Sequence, residues 1–233
     1  MILDITVVIF LILVIIVLIV KVRNANKFEY LENKRIAKEL SWKLNYYYFN
    51  ERPYLKEYFF CQRYFATGHF SHSFEGSFQN QKFTLLFFER SKGKDAQSQH
   101  YLVVELKEIK NKYSDVLILS KEEAALDYSV LLVNKYYKVS LEGNEFNKNF
   151  AVYSLHPDTP FYQLAPNDMA ELIDMKETFF NELAIQVKDK TILVACDYKT
   201  FADYMNLMKS TTDKKDIYVN FLNFALKINK LLS

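Results

Sequence analysis

Apolar and polar positions follow three successive patterns along the chain. The first is unbroken: from Ile5 to Val20 only Thr6 is not strongly apolar, and the run closes in Lys21, Val22 and Arg23. About 20 helical residues rise ~30 Å, the thickness of a hydrocarbon core, so residues 1–22 read as a transmembrane anchor. Ile5, Val7, Phe10, Leu13, Ile16 and Val20 are its anchoring side chains. A cleaved signal peptide requires a basic start and small residues before the cut. This chain carries Asp4 near its start, and no small residue closes the run.

The second pattern is helical. Within Lys27–Phe49, Ala37, Leu40, Leu44 and Tyr47 recur at helical spacing with Glu and Lys between them. The spacing predicts a helical stalk over 23–52, closed by Pro53. The heptad is not sustained over enough turns for a long coiled coil, so the apolar stripe is expected to pack on the domain that follows.

The third pattern has period two. In "HFSHSFEGSFQNQKFTLLFFER" Phe70, His72 and Phe74 fall on one side, a turn follows around Asn80, and Phe83, Leu85 and Phe87 then alternate. Further strands are expected at "HYLVVELK", "DVLILS", "YYKVSL", "FAVYS" and "FYQL", with a surface loop over Ser91–Gln99. "AIQVKDKTILVAC" reads as a hairpin turning at Lys188–Lys190. "PNDMAELIDMKETFFNEL" reads as a helix with Pro166 near its first position and Asp168 in its first turn. "DIYVNFLNFALKINKLLS" reads as an amphipathic C-terminal helix with Ile217, Phe221, Phe224, Ile228 and Leu231 near one stripe. The fold class is therefore α+β: an N-terminal transmembrane helix and helical stalk, then an antiparallel sheet domain over 53–233 with a C-terminal helix.

Composition narrows the function classes. The 233 residues are 50% hydrophobic and 16% aromatic, which excludes wholesale disorder. A net charge of +2 gives no reason to expect nucleic acid as a partner. Cys61 and Cys196 are too few for a disulfide framework and read as reduced, half-buried thiols. Lys21, Arg23, Lys27, Lys34, Arg35 and Lys38 follow the apolar run and nothing basic precedes it. The positive-inside rule then puts the N-terminus outside and the domain in the cytoplasm, with Lys21, Arg23 and Lys27 at the headgroups.

Candidate chemistry is sparse. Ser154, His156 and Asp158 stand two apart, and an extended strand would place them on one face. A working triad also requires an exposed, strained nucleophile and an oxyanion hole; no G-x-S-x-G surrounds Ser154, and Pro157 and Pro160 break the strand. His69 and His72 lie three apart and should diverge on a strand, so with His100 they do not make a zinc site. "SKGKDAQS" lacks the first glycine and the hydroxyl of a phosphate loop. Lys107, Lys110 and Lys112 alternate with Glu105 and Glu108 as a solvated face, and Glu122 and Glu123 read as early residues of a short helix. No catalytic residue, metal or cofactor is assigned.

"VSLEGNEFNKNFAVYSLHPDTPFYQLAPNDMAELIDM" carries one longer pattern, through Glu145, Phe146, Phe150, Val152, Tyr153, Asp158, Leu164, Pro166 and Met169. It resembles the hallmark of an uncharacterised bacterial family of membrane-anchored proteins. The resemblance implies the architecture, with Glu145, Phe146, Phe150, Val152, Tyr153 and Pro166 as structural positions, and it implies no reaction. The expectation is a single-pass protein of the bacterial inner membrane whose cytosolic domain binds a protein partner or a second copy of itself. Recognition of lipid headgroups is the alternative, and hydrolysis by Ser154 a remote one.

Overall fold

The structure, a computed structural model, describes residues 2–47, 68–90, 99–109, 115–121, 136–141, 144–156, 164–179, 183–208 and 213–233. Pro53, residues 91–98 of the expected loop, Glu122 and Glu123, Asp158, the "FYQ" segment and Cys61 lie outside them. The chain forms two compact units, Met1–Leu44 and Asn45–Ser233.

The first unit is dominated by one helix, α1 (Ile2–Leu40). Among the described residues no helix is long and apolar enough to cross a membrane; in the apolar part of α1, side chains are described without a break only over 9–21. The helix stops short of the stalk end expected from periodicity. Ser41 takes a left-handed φ of 56°, Trp42 N–H donates to Ala37 O at 2.8 Å, and Ser41 N–H donates to Lys38 O at 3.4 Å. That pair of bonds is a Schellman closure, which satisfies carbonyls the last turn would leave unpaired. Residues Lys43–Tyr46 are then a strand, β1, and not the continuation of a helix.

Eight more strands follow: β2 (Gly68–Phe78), β3 (Gln81–Arg90), β4 (Gln99–Lys107), β5 (Val116–Ser120), β6 (Tyr137–Val139), β7 (Phe150–Ser154), β8 (Leu183–Lys188) and β9 (Thr191–Asp197). They form a nine-stranded sheet in the order β1-β2-β3-β4-β9-β8-β5-β7-β6. The pairings described from β2 onward are antiparallel. The four remaining described helices are α2 (Asn144–Asn149), α3 (Pro166–Phe179), α4 (Tyr198–Met208) and α5 (Lys214–Leu231).

Alternation along the strands sets two buried faces. One gathers Phe70, Leu86, Phe88, Tyr101, Val103, Leu117, Ala184 and Leu193. The other carries Phe74, Leu85, Phe87, Leu102, Val104 and Cys196, and α4 and α5 pack on it: Phe87 lies 4.8 Å from Tyr218 and 6.4 Å from Tyr198, ring centre to ring centre. Both faces of the central strands are covered, which is why β4, β5 and β9 read as continuous apolar runs.

The sequence reading placed Phe70, His72 and Phe74 on one side, and the structure corrects it. Phe70 pairs with Phe88 but His72 pairs with Phe87, so Ser71 is an extra residue in β2. The bulge turns Phe70 to the first face and leaves His72 and Phe74 on the helix face. The β2–β3 hairpin closes at Gln79 and Asn80, with φ of 49° and 65°. Two positive φ values in a two-residue loop match the right-handed twist of the flanking strands.

Candidate functional site

Sequence and structure offer a surface, the side chains of α1, and two polar clusters in the second unit. On α1, Phe10 is 65% exposed, Leu13 55%, Ile16 50% and Val20 51%, within an exposed apolar run over Ile9–Val20, and Val7, ahead of it, is 53% exposed. The side chain of Ile5 is not described. Lys21, Arg23 and Lys27 follow on the same helix and are exposed, as are Phe28, Tyr30 and Leu31. An apolar length of helix with a cationic end is a surface that removes itself from water where it can, since exposed apolar area costs roughly 25 cal/mol per Å².

His72 is the centre of the first cluster. It is 2% exposed, stacks on Phe87 at 4.1 Å, meets Phe74 edge-on at 5.7 Å, and has Tyr46 at 5.8 Å. Its Nδ1 and the Ser71 hydroxyl are 2.9 Å apart. Burial, with Lys214 as a second cause, pushes its pKa down to about 3. A neutral imidazole packed among rings, with one nitrogen held by a hydroxyl, acts as an aromatic side chain rather than as an acid. His69 and His100 do not join it in a metal-binding group among the described residues.

The second cluster contains the Ser154–His156 pair. Ser154 is 1% exposed, and its hydroxyl accepts from His156 N–H at 3.0 Å and donates to His156 O at 3.2 Å. The hydroxyl thus completes the backbone at the end of β7, and the imidazole is not its partner. The ring of His156, itself exposed, instead reaches the half-buried Asp115, at 3.8 Å. A buried hydroxyl tied to main chain is not poised as a nucleophile, which requires exposure and a base within reach. Asp115 and Tyr136 were not singled out by sequence reasoning. Burial and then the Asp115 charge push the Tyr136 phenol up to about 12, while its bond to Gln186 at 3.1 Å works the other way.

The motif positions divide by role. Glu145 is exposed and pairs with Lys148 at 3.0 Å. Phe146 on α2 and Phe150 on β7 are buried and stack at 4.9 Å. Val152 and Tyr153 are buried, and their alternation in β7 sends them to opposite faces of the sheet. Pro166 opens α3, where its missing N–H costs nothing, and stays exposed. Asn147, which no pattern flagged, bonds both main-chain groups of Leu141 and so ties α2 to the end of β6. Lys176 is buried and donates to Asn149 at 3.2 Å, joining α3 to α2. These are packing roles. Cys196 is buried, and burial followed by the Asp197 charge raises its thiol well above the usual range, which makes it a poor nucleophile.

Over residues 81–232, from β3 to the end of α5, the chain matches a family model described as "Protein of unknown function (DUF3137)". The stretch from Glu145 to Met169 lies inside the match, and α1, β1 and β2 lie outside it. No curated protein and no solved structure matches the chain.

Proposed function

The chain belongs to the DUF3137 family of proteins of unknown function, and on that premise we propose that it is a membrane-anchored binding module. In this reading α1 is a single-pass anchor in the bacterial inner membrane, and the α+β unit stands on the cytoplasmic side and binds a protein partner or a second copy. The observation that carries the proposal is the exposure of the apolar side chains from Ile9 to Val20 on one continuous helix that runs on into Lys21, Arg23 and Lys27. The packing roles of Ser154, His72 and Cys196 add to it, because they leave a binding role ahead of a catalytic one. Glu145–Met169 is proposed as part of what relatives share, holding α2, β7 and α3 in place.

The test uses the full chain. Membranes are washed with alkaline carbonate, which strips peripheral proteins. The natural chain is expected in the pellet, and an Ile12→Lys, Ile16→Lys chain in the supernatant, since each lysine at a span centre costs about 3 kcal/mol. Release of the natural chain by the wash ends the anchor reading. Crosslinking before native purification then tests association, and a strictly monomeric chain with no bound protein ends the binding reading. The exposed Lys21, Arg23 and Lys27 favour headgroup recognition as a second reading. Equal flotation with zwitterionic and anionic vesicles removes it.

A further inference from the structure

Beyond its apolar run, α1 sorts its charges by side. At ~100° per residue, Arg23, Lys27, Lys34 and Lys38 fall within about 60° of arc, and all are exposed. Glu29, Glu32 and Glu39 fall on the far side of the helix, where Ile36 is buried among them, and the buried Asn33 and Ala37 lie between the two arcs. Two basic residues of α1 lie outside the arc: Arg35, which is taken up by Glu39 at 3.1 Å, and Lys21, next to the apolar run on the glutamate side. Among the described residues, none of Arg23, Lys27, Lys34 and Lys38 makes an ion pair. Tyr30 and Leu31, exposed at 44% and 53%, flank the arc and add apolar contact area.

Like charges four residues apart weaken a helix, so the spacings 23/27 and 34/38 work against α1 unless something anionic lies on them. A lipid surface fits only part of the arc. Resting on the reading of α1 as a span, Lys34 and Lys38 lie about 18 and 24 Å past Val22 at ~1.5 Å per residue. That is well outside the ~8 Å over which a charged surface is felt at physiological salt. The full stripe, about 22 Å from Arg23 to Lys38, matches a rod-like partner.

We propose that this stripe is the docking surface for an acidic helical segment of a partner protein, with carboxylates repeating every three to four residues along one side. The charge complementarity is directional, because a segment laid on the opposite side of α1 meets Glu29, Glu32 and Glu39.

The experiment uses the full chain in zwitterionic nanodiscs and, as probe, a fluorescent glutamate–alanine helix of about 15 residues, ~22 Å long. Lys34→Gln with Lys38→Gln is expected to weaken probe binding about tenfold. Lys190→Gln with Lys230→Gln, the same change in net charge elsewhere, is expected to leave it within about twofold. Equal loss in both double variants, or none in the first, overturns the proposal. So does a Lys34/Lys38 variant that loses flotation with anionic vesicles as strongly as it loses the probe, which assigns the stripe to lipid. A change of oligomeric state in that variant also overturns it, because a second copy is then the occupant. The carbonate wash stays separate: release of the natural chain with probe binding intact removes the anchor and keeps the stripe.

Discussion

His72 shows what a single side chain can do to the pH response of the whole fold. Unfolded, its imidazole takes a proton near the ordinary pKa of about 6.5; folded, it does so only at about 3. Between those values the unfolded chain holds the extra proton, so stability is full above about pH 6.5 and falls as the medium becomes more acid, by up to ~1.4 kcal/mol per pH unit. Urea unfolding at a series of pH values should show this slope between about pH 6 and 4. The His72→Phe chain should lose much of it, because phenylalanine keeps the stacking on Phe87 without the titration. An unchanged slope would assign the acid sensitivity to other groups. The same scale decides Ser154. Ser154→Ala removes two bonds to the His156 backbone and is expected to cost about 1–2 kcal/mol in thermal or chemical unfolding.

At the level of elements, the ends matter more than the middles. Asp213 caps α5 with an extended backbone, φ −65° and ψ 145°, and its carboxylate accepts from Lys215 N–H at 3.2 Å. Asp213→Ala should cost about 1 kcal/mol, read from the shift in urea midpoint at unchanged slope. Phe146→Ala empties a buried ring position against Phe150 and should cost about 3–5 kcal/mol by the same measurement. Element interiors were legible in the sequence wherever a repeat is long. The β8–β9 hairpin, β4, β5, β7, the C-terminal helix and the Pro166 start of α3 all follow from alternation, helical spacing or cap chemistry. What escaped has local causes. Ser41 ends α1 in a left-handed conformation that glycine usually signals. Ser71 makes a bulge with no glycine or proline beside it. Helix α4 buries Phe201 and Met205, four residues apart, but it starts at Tyr198 directly after β9 ends at Asp197, with no loop between them to mark the change of period. The candidate site was legible in its apolar half. The side-sorting of charge on α1 became visible only once Ile2–Leu40 stood as one continuous helix.

The sheet order couples distant parts of the second unit. Strand β4 pairs with β9 at the centre, so residues 101–107 meet 191–197, and the run β2-β3-β4 joins β9-β8-β5-β7-β6 there. Pairing of this kind makes unfolding cooperative, because one buried cluster draws on both halves, with Phe70, Leu86 and Phe88 from one and Leu117, Tyr153 and Ala184 from the other. The family match begins at residue 81, inside the β2–β3 hairpin, and so leaves out β2. Yet β2 contributes Phe70, at 3% exposure, to one face and Phe74, at 0%, to the other. Removing it also leaves the backbone of β3 as a long apolar edge, the form of strand that pairs with other chains. A chain of residues 45–233 is therefore expected to melt in one cooperative transition. A chain of residues 81–233 should give little soluble protein, or a broad melt without a calorimetric peak. Equal melting of the two would show β2 to be an addition to a domain already complete at β3. The expected failure of the shorter chain would instead set the physical domain boundary upstream of the boundary that relatives share.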